Sequence, residues 1–204
     1  MNRKVLGKIE KPSVEEYRRD DKKRRIYLVP LFVSPRGSLR QDYQNKLKKY
    51  WKQVEARISD LEEKIGKVKK IYCEMVDKSG KEGEEIVKRM DEILWKVVKN
   101  FLDKGANIVG VEDSVLLQEH FDLTRCLSLN LKSTRVAGFI ANFFSQNLKE
   151  RDRYISSSIN KDLKQGEVGI VFIREDNFVE FARDIEVFRI FPPALDELRH
   201  FFQK

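Results

Sequence analysis

Four acidic side chains, Glu112, Asp113, Glu175 and Asp176, stand in two adjacent pairs just past apolar runs. In open α/β sheets the carboxyl ends of strands are where ligands collect. Joined by Arg36 and Arg174 and flanked by Ser34, Ser38 and Ser114, the four carboxylates would hold a divalent metal and a phosphate if the strand ends converge. That is the equipment of a metal-dependent phosphoryl-transfer or hydrolytic enzyme. The plainer reading makes Asp113 a helix cap and Glu175-Asp176-Asn177 a turn, positions that select such residues unaided. His120 is the only interior histidine and has Glu119 and Asp122 nearby, which suits a general base and equally a helix surface. Cys126 lies beside Arg125 but has no companion histidine. The run Ser156 to Ser158 lacks the setting of a nucleophile elbow, and no histidine and cysteine set has zinc spacing. Gly80 to Glu85 is no Walker loop. No cofactor is expected.

Charge layout points elsewhere. The net charge is +8, yet residues 1–80 carry 22 basic and 12 acidic side chains, or +10, and Lys81 to Lys204 carry 19 and 21, or −2. A positive region of this kind attracts phosphate through counterion release. Arg18, Arg19, Lys22, Lys23, Arg24, Arg25, Arg40, Lys46 and Lys49 are therefore expected at an RNA backbone, with exposed Tyr43 and Tyr50 available for stacking. A solvated helix face gives the same pattern. Cys73 and Cys126 sit singly in apolar runs, as reduced thiols of a cytosolic protein do. The polar first residues lack the apolar stretch of a signal peptide, and no run approaches the roughly 20 apolar residues that span a bilayer. A cytoplasmic protein without a membrane partner is expected.

These residues need a scaffold. Residues 1–25 read as a flexible basic arm, and residues 26–204 as a single α/β domain. Ile26 to Val33 reads as a buried strand, with Pro30 arguing for an edge position or a bulge. From about Leu39 to Ile65 the chain reads as a helix, and Leu47, Trp51, Val54, Ile58, Leu61, Ile65 and Val68 recur in alternating steps of four and three. That is a coiled-coil-like seam, and one reading makes it a homodimer surface. Further strands are expected at Val68 to Val76, Ala106 to Glu112 and Val168 to Arg174. Helices are expected at Glu84 to Lys104, from Asp113 or Ser114 to Leu127, and at Ser133 to Lys164. Phe178 to Phe181 and Asp184 to Phe191 read as an antiparallel edge meander, closed by Pro192, Pro193 and a last short helix. The order predicts an α/β fold: a mostly parallel sheet covered by long helices, with an antiparallel C-terminal edge and helix content above half.

The C-terminal part from about Val109 carries VEDSVLLQEH, TRCLSLNL, ERDRYISSSINKDLKQGEVGIVFIRED and DIEVFRIFPPALDEL. It resembles an uncharacterised family of bacterial proteins and, at a distance, the last domain of bacterial relatives of the archaeal and eukaryotic peptide-release factor. The resemblance implies an α/β layer with ribosome or RNA contacts. The sequence contains no Gly-Gly-Gln tripeptide, so peptidyl-tRNA hydrolysis is not implied. A cytosolic RNA-associated or ribosome-associated binding protein without its own catalysis is the leading expectation, with the metal-dependent enzyme and the structural homodimer as alternatives.

Overall fold

The computed structural model describes residues 23–34 and 41–202. Five strands, β1 (Arg24–Pro30), β2 (Val68–Cys73), β3 (Asn107–Val109), β4 (Val168–Ile173) and β5 (Ile185–Arg189), form one sheet in the order β3-β2-β4-β1-β5. Every pairing is parallel. Six helices accompany it: α1 (Gln41–Lys64), α2 (Gly80–Met90), α3 (Glu92–Asp103), α4 (Ser114–Ser128), α5 (Thr134–Asp162) and α6 (Ala194–Phe202). More than half of the described residues are helical, and the α/β class is as the sequence predicts.

Strand alternation sorts the core into two layers. Tyr27, Val29, Ile71, Cys73, Ile170 and Phe172 point to the side covered by α1, α2, α3 and α6. Ile26, Leu28, Tyr72, Val171 and Ile173 point to the side covered by α5. The chain steps one way across the sheet from β1 through β2 to β3, then back through β4 to β5, and crossovers of one hand put opposite steps on opposite faces. The helical seam is spent on this packing: Leu47, Trp51, Val54 and Ile58 are buried against the sheet, and Trp51 meets Phe172 edge-on at 5.7 Å. Those four positions therefore face this chain's own sheet and not a second copy.

Four further expectations are corrected. Pro30 ends an interior strand, fourth of five, and not an edge. It is tolerated because the ladder bond from Ile190 N–H reaches Leu28 O, two residues earlier, so the face of Pro30 without an N–H lies beyond the end of β5. The C-terminal edge is parallel: β5 pairs with β1 in the same direction, and Phe178 to Ala182 is no strand of the sheet. The expected helix from Glu84 to Lys104 is two helices, because Asp91 stops α2 and caps α3, accepting from Ile93 N (2.7 Å) and Leu94 N (2.8 Å). Arg24 and Arg25, expected in the arm, open β1.

Candidate functional site

The adjacent strands β2 and β4 send their chains to opposite faces of the sheet, which opens a crevice at their carboxyl ends. Glu74 directly follows β2, and Arg174 directly follows β4. Glu112 arrives from the end of β3 on a loop pinned by Val111 N–H to Val76 O at 3.0 Å. Gly110 lets that loop pass close by, since a Cβ there would stand 2.7 Å from the Asp77 carbonyl carbon. α5 supplies Arg151 and Asp152 from its buried stripe.

The five side chains lock together. Arg151 Nε donates to Glu112 Oε2 at 3.0 Å, and its Nη2 reaches both Glu112 Oε1 and, at 3.2 Å, Glu74 Oε1. Arg174 Nη1 pairs with the same Glu74, while its Nη2 donates to both Asp152 oxygens at 2.7 and 2.8 Å. Backbone donors complete the set: Arg174 N to Glu74 Oε2 at 2.8 Å, Met75 N to Glu112 Oε1 at 3.0 Å, and Phe178 N to Asp152 Oδ2 at 2.9 Å. Arg151, Asp152, Glu112 and Glu74 are buried. Burial works against the charge on Arg174, but Glu74 and Asp152 outweigh it and hold the guanidinium above its ordinary value. Met75, wedged between these acids, has φ +70°, a conformation that non-glycine residues avoid and that surrounding contacts must impose.

The four sequence-selected carboxylates take separate partners. Glu112 belongs to the buried lock, and Asp113 caps α4 through Val115 N and Leu116 N. Glu175 binds Arg199 of α6, and Asp176 is exposed beside Arg174. Among the described residues no three histidine, cysteine or carboxylate side chains are grouped as a metal would need. His120 stacks on Phe144 of α5 with ring centroids 5.3 Å apart. Burial, with Arg151 next in weight, lowers its pKa to about 4, so it is a neutral ring of the α4–α5 interface and a weak base. The Cys73 thiol is buried and pushed up, chiefly by that burial. Sequence reasoning missed Glu74, Arg151 and Asp152, which sit inside apolar or solvated-looking stretches and acquire meaning only when three strand ends meet α5.

The expected RNA contacts fare unevenly. Arg18, Arg19, Lys22 and Arg40 lie outside the described residues, and Lys23 is exposed at the start of β1. Arg24 is tied to Asp184 and to the carbonyls of Asn160 and Leu163, and Arg25 is buried against Glu186. Lys46 and Lys49 share Glu197 of α6. Tyr43 and Tyr50 are not exposed stacking platforms: both are buried, their hydroxyls donating to Val33 O (3.1 Å) and Pro30 O (2.6 Å).

A different surface joins free cations to an exposed ring. From Phe178 to Ala182 the chain runs extended along α5, with Phe178, Glu180 and Ala182 N–H donating in turn to Asp152, Ser156 and Asn160. The register works because four helical residues rise about 6 Å and two extended residues about 6.6 Å. A groove of about 640 Å³ beside this strap is lined by Lys149, Arg153, Ser156, Ser157, Asn160, Phe178 and Glu180. Phe178 is 74% exposed. Lys149 and Arg153 are one turn apart on α5, and among the described residues neither is in an ion pair. A second groove, of about 580 Å³, lies over Met75 at the sheet's carboxyl end with Arg89, Arg125, Met90 and Phe121 on its walls.

Compared with known proteins, the chain matches no protein family, no curated sequence and no solved structure. No helix among the described residues is long and apolar enough to cross a membrane.

Proposed function

We propose that this protein binds single-stranded RNA without acting on it chemically. The observation that carries the reading is the strap groove, where the uncommitted cations Lys149 and Arg153 stand beside Phe178. Phosphates pair with the cations, the hydroxyl of Ser157 offers a sugar contact, and a base stacks on the ring. The described carboxylates at the strand ends are committed to structural ion pairs and caps, which favours binding over catalysis. The positive excess of residues 1–80 adds long-range attraction. A ribosomal setting is what the resemblance of the chain from Val109 onward implies.

Fluorescence anisotropy with a labelled oligoribonucleotide, repeated across a salt series, tests this. Lys149→Ala with Arg153→Ala is expected to flatten the log–log salt slope by about 1.4, at about 0.7 per lost phosphate contact on a single strand. Phe178→Ala is expected to weaken binding by about 1–3 kcal/mol with the slope unchanged. No binding, or binding indifferent to all three substitutions, would overturn the proposal.

A further inference from the structure

We propose that the outer end of the α4–α5 hairpin is a self-association surface on which a second copy of this chain packs, giving a four-helix contact between subunits. Positions 136, 137, 139, 140, 141, 143 and 144 of α5 are all apolar. At 100° per residue they span about 200° of the helix, twice the roughly 100° stripe that one packing partner requires. α4 covers one flank: Ile140 and Phe144 are half-buried, and His120 stacks on Phe144. The other flank, Val136, Phe139 and Phe143, remains 45%, 51% and 59% exposed. No residue of α5 before Asn147 is buried, so this half of the helix stands clear of the core.

Area and charge point to a copy of the same chain. Leu127 and Leu129 of the hairpin are also exposed. At about 150–200 Å² for a fully exposed large apolar side chain, the five present about 400–500 Å², within the range of the largest patches that monomers leave uncovered. The apolar part alone supplies about half of the roughly 800 Å² per partner of a stable interface, the rest of which a polar rim ordinarily makes up. Only Glu119, Asp122, Arg125, Lys132 and Arg135 are charged between Ser114 and Leu148, in a chain that is 36% charged. Asp122 is already paired with Arg125, and Arg135 lies over the Phe139 ring. Little charge is left to select an acidic or basic partner, whereas charge depletion suits an interface centre. The exposed stripe is also self-complementary. Antiparallel pairing about a two-fold axis sets bulky Phe143 against the partner subunit's Val136, and brings Phe139 to the axis.

Sedimentation velocity on the full chain, from about 1 to 100 μM, reads this directly, because dimer population follows protomer concentration. The expected result is a species of twice the 24.1 kDa chain mass at the upper end. Phe139→Glu with Phe143→Glu is expected to weaken association at least about a hundredfold while leaving circular dichroism unchanged, both side chains being exposed in the monomer. Phe178→Glu, an exposed aromatic change away from the hairpin, is expected to leave association intact. A wild-type chain monomeric throughout, or a double variant that still dimerises, would overturn the inference.

Discussion

Replacing Arg151 by Met tests the buried lock most directly. The substitution keeps an unbranched side chain but removes the Nε and Nη2 donors that hold Glu112, and one of the two guanidiniums on Glu74. Met75 N–H still donates to Glu112, yet no cation faces that buried carboxylate. Orphaning a buried charge costs about 3–5 kcal/mol. For a chain of this size each kcal/mol shifts Tm by about 2–4 °C, so a fall of roughly 6–20 °C is expected. Adding Glu112→Gln removes the orphaned charge and is expected to recover about 1–2 kcal/mol relative to Arg151→Met alone, a coupling typical of residues in one ion-pair network. Urea denaturation of the wild type, both single variants and the double variant gives the full cycle. If Arg151→Met lies within about 1 kcal/mol of wild type, or the two losses simply add, the lock contributes nothing as a unit and the reasoning fails.

His120 sits below its unfolded pKa, so the unfolded chain takes up its proton first on acidification; its contribution is complete above about pH 6.5 and lost as pH falls towards 4. Screening of this half-buried ring limits the loss to about 1–2 kcal/mol, and His120→Gln is expected to flatten stability across that window in pH-dependent denaturation. At Met75, Val is expected to cost about 1–2 kcal/mol, since a β-branched residue resists positive φ, and Gly less than about 0.5 kcal/mol; an equal loss for both would show that φ is not the constraint. Asp91→Ala, which removes the α3 cap and the bond from Ser34 N–H at 2.6 Å, is expected to lose about 1–2 kcal/mol in thermal denaturation. Along the strap, Ser156→Ala is expected to speed hydrogen exchange at the Glu180 amide while sparing Val171 in β4.

The parts of the fold that the sequence revealed are those where one local rule decides. Asp113 stands before an apolar helical run and does cap α4, and the run from Val168 to Ile173 is buried on both faces because a parallel interior strand must be. Where rules compete, the reading slipped. Asp91 carries the residue type of a cap inside an apolar period that looks continuous, and only its bond to Ser34, 57 positions away, shows why the helix breaks there. The strap alternates like a strand, but its amide groups are satisfied by side chains of α5, an arrangement that no periodicity announces. Tyr43 and Tyr50 flank the seam of α1 and were expected to face water; a broad sheet buries more of a helix than a second helix does, and nearby carbonyls accept their hydroxyls. The lock eluded the sequence for a further reason: its members come from β2, β3, β4 and α5, and no pair closer than Arg151 and Asp152 hints at the meeting.

The central place of β4 also governs how the chain can be assembled during synthesis. β1 and β2 both need β4 between them, and Arg25 must wait for Val168, roughly 140 residues later. A growing chain that ends before Val168 therefore holds two apolar strands with no common neighbour, and Trp51 without Phe172 to meet. Its first four-fifths are expected to remain a protease-sensitive collapsed state until the last fifth is made, when one cooperative step closes both layers of the core.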